Sequence, residues 1–218
     1  MGRDKATDML DFELGDPALV CRWRLANRRL PIENRHLRAL LARTVNGAKV
    51  TTELAAWAKQ HIEWNLDQGA VRYPDGVLML SVDTEGRAAM TVGPFEELAD
   101  ASLAALAQRA ANAQAEAEQT GVAPETLWLA RGDVLLWDPG DGCAASGAAS
   151  LVGQLAQTLG LGVARREGLA HDALAGDLEF DEAFLVSDEY GVVPAADAQG
   201  QHGRRMREGY QRLLERTH

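Results

Sequence analysis

The chain has 218 residues, 46% of them hydrophobic and 25% charged, which is an ordinary balance for a globular protein and speaks against intrinsic disorder. Its formal net charge of -10 works against sequence-independent nucleic-acid binding, which relies on Lys and Arg neutralising phosphates. The length suits one large domain or two small lobes, and two lobes are the expectation. Of 22 basic residues only three are lysines, Lys5, Lys49 and Lys59, and none follows Lys59.

The start, "MGRDKATDMLDFELGD", places acidic residues where a signal peptide needs an apolar run, and no apolar stretch reaches the length of a membrane span. Cys21 and Cys143 are too few for a disulfide framework and lack zinc-site spacing, so two buried thiols in a reducing cytoplasm are expected. "ALVCRWRL" reads as a strand, and "ANRR" followed by "LPIE" as a turn and a second short strand. Asn34 is placed to cap a helix carrying Leu37, Leu40, Leu41 and Val45, with Gly47 as its stop. A second helix follows Thr52, with Leu54, Trp57, Ala58, His61 and Ile62 on one face; His61 there is a satisfied, partly buried histidine.

"VLMLSV", "DTEG" and "RAAMTV" form a hairpin in outline, while Pro74 keeps "VRY" off any central strand. "GPFEE" breaks the pattern, which divides the chain into lobes at 1–95 and 96–218. Residues 97–120 are alanine-rich without Gly or Pro, a long helix closed by Gly121. "ETLWLARGDVLLWDPGDG" is a second tight hairpin, and "DPGDG" is a plain turn because it lacks the carboxylate spacing of a calcium loop.

Ser150 is placed to cap a helix with Leu151, Val152, Leu155, Ala156 and Leu159, ending near Gly160. "LGVARRE" follows as a strand, "AHDALAGDL" as a helical turn, and "FDEAFLVSDEYGVVPA" as a strand, a polar turn and a second strand. A helix from about Arg204 closes the chain. Met206, Tyr210, Leu213 and Leu214 face inward, and Arg204, Arg205, Arg207, Arg212 and Arg216 form a solvated face. The sum is an α+β protein. No nucleotide-binding loop, HExxH or CxxC pattern is present. A nucleophilic serine, Ser146 or Ser187, needs a histidine within reach, for which His36 and His171 are the candidates.

The order "LVCRWRLANRRLPIENRHLRAL", "VRYPDGVLMLSV", a long helix into "ETLWL", "GDVLLWDP", a capped helix into "LGLGVARRE", then "FDEAFLVSDEYGVVP" resembles the class IV aminotransferases. These fold-type IV enzymes include branched-chain and D-amino acid aminotransferases and 4-amino-4-deoxychorismate lyases. The resemblance covers about residues 17–215. It implies a two-lobed fold with a shortened C-terminal lobe, a homodimer, and pyridoxal phosphate (PLP) between the lobes. It also implies a cleft drawn from His36, Arg38, Ser102, Ser146, Ser187, Asp188 and Tyr190.

The family's site needs a Schiff-base lysine, an acid at the pyridine nitrogen and phosphate donors. The lysine position falls near Ser102, where no lysine stands, and the strand carrying the acid is missing from "LWLARGDVLLWDP". The phosphate arginine of "H-x-x-R-L" is met by Ala39 beside Arg38, and the "G-I-T-R" helix start by "SGAAS". The last turn carries Ser187, Asp188 and Glu189, two carboxylates where a dianion is expected. The resulting expectation is a cytoplasmic, non-catalytic, dimeric binding or scaffold protein with no cofactor and no metal, open to a small metabolite but not to nucleic acid or membrane. The alternative is an active PLP-dependent aminotransferase or lyase with an altered site, using Lys49 or Lys59.

Overall fold

The computed structural model describes residues 14–217; the acidic start of the chain and Lys5 lie outside the described residues. A three-stranded antiparallel sheet, in the order β1-β4-β5, is built from β1 (Pro17–Arg24), β4 (Val77–Asp83) and β5 (Ala88–Gly93). Alternation decides its faces: Leu19, Cys21 and Trp23 of β1 are buried, as are Leu78, Leu80 and Val82 of β4. Against them pack α1 (Glu33–Ala42) through Leu40, and α2 (Thr52–Gln68) through Ala58 and Ile62. Thr51 caps α2 by accepting from the Leu54 amide at 3.2 Å. His61 is satisfied as expected, its Nδ1 2.9 Å from the Trp57 carbonyl and its ring stacked on Trp57.

Three local expectations are corrected here. "LPIE" makes no strand, because Asn27, Arg28 and Ile32 all take positive φ and turn the chain straight into α1. Ile32, rather than Asn34, stands at the N-cap of α1. The helix also stops at Ala42, short of Gly47: Arg43 is extended, and "NG" at 46–47 instead closes a small hairpin of β2 (Thr44–Val45) and β3 (Ala48–Lys49).

The second sheet has five strands in the order β10-β9-β6-β7-β8: β6 (Glu125–Arg131), β7 (Val134–Trp137), β8 (Gly162–Arg165), β9 (Glu182–Ser187) and β10 (Gly191–Pro194). Only β7 and β8 are parallel, and the helix α4 (Gly147–Thr158) makes the crossover such a pair requires. Both faces of β6 and β9 are covered, so their apolar runs are continuous rather than alternating. On one face lie α4 and α6 (Gln201–Glu215), against Trp128, Phe184 and Val186. On the other lie α3 (Leu103–Thr120) and α5 (Leu169–Ala175), against Leu127, Leu129 and Leu185. Each such large apolar side chain removed from water contributes about 1.5–3 kcal/mol.

Helix starts are set by caps the sequence leaves ambiguous. Ser146, not Ser150, caps α4, and Ser150 lies one turn inside, donating to the Gly147 carbonyl at 2.9 Å. α3 begins at Leu103, where Ser102 caps it and Asp197 accepts from the Leu103 amide. Glu182 accepts from the amides of His202 and Gly203, which starts α6 three residues ahead of Arg204. Met206 and Tyr210 are buried while the α6 arginines are exposed. Cys21 and Cys143 are buried free thiols. Among the described residues no helix is long and apolar enough to cross a membrane.

Candidate functional site

The β9–β10 turn, Ser187 to Tyr190, meets three other elements at one point. The Arg24 amide at the end of β1 donates to the Asp188 carbonyl at 3.1 Å. The Asp188 carboxylate turns toward the start of α4, where Oδ1 accepts from the Ala148 amide at 2.7 Å. Its Oδ2 lies 3.6 Å from Nδ1 of His36 on α1. His36 is 2% exposed and Asp188 3%, and the imidazole is stacked on Trp23. The helix start is shaped for this approach: a Cβ on Gly147 would stand 2.5 Å from His36 Nδ1.

A helix N-terminus with free amides is a ready anion site. Here the anion is part of the chain, for Asp188 holds the Ala148 amide and Ser146 holds the Ala149 amide. Burial pushes the Asp188 carboxyl up, but His36, the Ala148 amide and Arg43 outweigh it, and the group ionises below its usual range.

Glu189 points the other way, and the Arg22 guanidinium grips it through Nε at 2.5 Å and Nη2 at 2.7 Å. Ser187 donates to Glu125 at 3.0 Å and accepts from the amides of Glu189 and Tyr190, which fixes the turn. Arg109 of α3 pairs with the same Glu125 at 2.8 Å and lies over the Tyr190 ring. Arg22, Arg109, Glu125, Ser187 and Glu189 line a cavity of about 300 Å³ between β1, α3 and the turn, with Glu116 in its wall. Burial pushes the Glu116 carboxyl up, against the pull of Arg43 at 3.7 Å. Arg43 is itself 2% exposed, and its Nη1, the atom facing Glu116, makes no hydrogen bond among the described residues.

His36, Ser146, Ser187 and Asp188 are therefore gathered around the turn, with Tyr190 at its end. Two expected cleft residues are not. Arg38 is exposed and donates to the Asn34 carbonyl of its own helix, because its position on α1 faces outward while Ala39 faces in. Ser102 is committed to capping α3. The serine–histidine arrangement does not form among the described residues: Ser187 donates to Glu125, Ser146 accepts from the Ala149 amide, neither is hydrogen-bonded to a histidine, and His171 is exposed on α5.

Sequence reasoning missed Arg22, Arg43, Arg109, Glu116 and Glu125. Arg109, Asn112, Ala113 and Glu116 share one face of α3 at helical spacing, a signal that could have placed three polar groups together. Arg22 and Glu189 are 167 residues apart, and no local pattern joins them.

No protein-family model matches the chain, and no curated protein matches it in sequence. Solved structures do match. A 4-amino-4-deoxychorismate lyase from Pseudomonas aeruginosa aligns with a TM-score of 0.57 at 15% identity, over 90% of each chain. A fold IV-transaminase from Curtobacterium pusillum aligns at 0.57 and 14%, over 93% of this chain and 85% of the other. A hypothetical aminotransferase from Mycobacterium tuberculosis in a PLP-bound form aligns at 0.58 and 14%, over 92% and 88%. The chain has the fold of the fold-type IV PLP enzymes, the class to which its segment order pointed.

These matches correct the expectation of no cofactor, because chains of this fold include PLP-bound and PMP-bound forms and the fold points to PLP. Among the described residues, however, no lysine stands at the cleft to hold PLP as an aldimine. The amides at the α4 start are already taken by Asp188 and Ser146. Of the two described lysines, Lys49 is exposed on the β2–β3 hairpin and Lys59 is exposed on α2. β6 and β7 are joined directly through Gly132 and Asp133.

Proposed function

We propose that this protein is a binding member of the class IV aminotransferase fold, one that holds a small ligand between its two sheets without forming a Schiff base. The observation that carries the reading is the Asp188 carboxylate on the Ala148 amide, 3.6 Å from His36. An internal anion at that helix start takes up an amide that would otherwise be free for a ligand. The exposed lysines support the same reading, since an aldimine needs an amine that reaches the cleft.

The homodimer implied by the resemblance is part of the proposal, and sedimentation should give twice the chain mass. So is a reducing cytoplasm, which suits two buried free thiols. The direct test mixes the purified protein with excess PLP, reduces with borohydride, and maps adducts by intact mass and peptide digestion. The expected result is scattered, substoichiometric labelling. One stoichiometric adduct on Lys49 or Lys59 overturns the proposal and identifies the lysine of an active enzyme.

A further inference from the structure

A second cavity, of about 480 Å³, lies beside the β10 edge, and its lining shares no residue with the Asp188 cleft. One wall is apolar, from Phe95, Leu98 and Val192, with the buried Tyr210 of α6 behind it, and the lining is also polar, with Arg24, Glu97, Gln199, Arg207 and Gln211. The size is that of a small-molecule site, and the lining offers an apolar wall together with polar groups that can fix a ligand's orientation. Tyr190 stands between the two cavities, facing Arg109 on one side and Phe95 on the other.

The partly buried cation of this cavity is Arg24, the last residue of β1. Its guanidinium carbon lies 3.3 Å from the Phe95 ring centroid, a contact that holds the group in place. Its Nη1 is buried with no hydrogen-bond partner among the described residues, a costly arrangement for a charged donor. Burial also lowers the Arg24 pKa, against the pull of Tyr210, Asp75 and Glu97. Arg207 and Glu97 complete the charged lining, so two guanidinium groups face one carboxylate. In a chain of net charge -10, this is a locally cationic pocket.

We infer that this cavity binds a small carboxylate with an apolar body, its carboxylate on Arg24 and its body against Phe95, Leu98 and Val192. A planar guanidinium with an unsatisfied donor matches a carboxylate in geometry as well as charge. The apolar wall of Phe95, Leu98 and Val192 favours an anion with a hydrocarbon body over one without, such as inorganic phosphate. The inference goes beyond the reading of the Asp188 cleft and does not depend on it, since lysine trapping and binding at Arg24 are read separately.

The test titrates the isotopically labelled full chain with hexanoate and benzoate, following amide shifts by NMR, with hexanamide and inorganic phosphate as controls. The expected result is saturable shifts confined to Arg24, Phe95, Leu98, Val192 and their neighbours. Hexanamide and phosphate should bind at least about tenfold more weakly. Arg24→Met should weaken hexanoate by about tenfold or more. Ala101→Phe, which fills the cavity from its lining, should abolish the shifts even if the Arg24 variant folds poorly, while Arg131→Met, exposed at the end of β6 and outside both cavities, should leave them unchanged. The inference is overturned if neither acid gives saturable shifts, if hexanamide or phosphate matches hexanoate, or if Ala101→Phe binds hexanoate like the parent.

Discussion

Two hairpins of this protein turn on a buried aspartate, and they hold it in opposite ways. In the β4–β5 turn, Asp83 accepts from the amides of Glu85 and Arg87 and from the Arg87 side chain, with the more distant Gly15 amide joining them. In the β9–β10 turn, the Asp188 carboxylate accepts from an amide 40 residues away and faces an imidazole 152 residues earlier in the chain. The first aspartate closes its own hairpin, whereas the second ties the turn to α1 and α4. A carboxylate satisfied by its neighbours organises a turn; one satisfied from afar organises a site.

The glycines repeat the contrast. Gly86 has φ +81, and a Cβ added there would meet open space, whereas Gly191 has φ +70 and a Cβ added there would run into the Tyr210 ring. The first is needed for backbone conformation alone. The second is needed for conformation and for the approach of α6.

The comparison can be broken most forcefully at Asp188. Asp188→Ala leaves the Ala148 amide and His36 without their anion in a dry environment and should cost about 4 kcal/mol, read by urea denaturation. A loss as small as that of an exposed turn residue would show that Asp188 ties nothing together. Gly191→Ala should cost about 3 kcal/mol, from positive φ together with the displacement of Tyr210, and should perturb α6 amides in hydrogen exchange. Gly86→Ala should cost only about 1 kcal/mol, with the exchange effect confined to its own turn. Equal costs at the two glycines would erase the distinction drawn between the turns.

The smallest expected effect is a pH dependence at the local turn. Burial raises the Asp83 pKa, but the amides of Gly15, Glu85 and Arg87 and the Arg87 side chain more than offset it, and the value falls from 3.8 to about 2. A lowered folded-state pKa means that the ionised form stabilises the fold. The advantage of the parent over Asp83→Asn in urea midpoint should therefore be full above pH 3.8, then shrink as the pH falls toward about 2. The Asp188 contribution has the same sign, present above the usual carboxylate range and lost as the pH falls through its lowered folded value.

Much of the architecture was legible from residue order. Strands β1, β4, β5, β6, β7, β9 and β10 fall where apolar alternation or continuous runs place them, because those patterns report which faces leave water. The "DTEG" turn was legible too, since its partners lie within a few residues of one another. Cap positions were less so: Ser146 and Ser150 have the same chemistry, and only the packing of α4 against His36 and Asp188 selects the first. Arg38 and Ala39 are adjacent in sequence, and the rotation of α1 against α4 decides which faces the cleft.

By itself the sequence determined the α+β class, the order of segments, the scarcity of lysine and the presence of two carboxylates in the last turn. Each of these is a property of composition or of spacing along the chain. Only the tertiary structure decided what those carboxylates do, sending Asp188 to the start of α4 and Glu189 to Arg22. It alone left the Arg24 guanidinium against Phe95 with a donor that has no hydrogen-bond partner among the described residues. The physical reason is that the fate of a buried charge depends on which distant groups reach it, and that is fixed by how the elements pack.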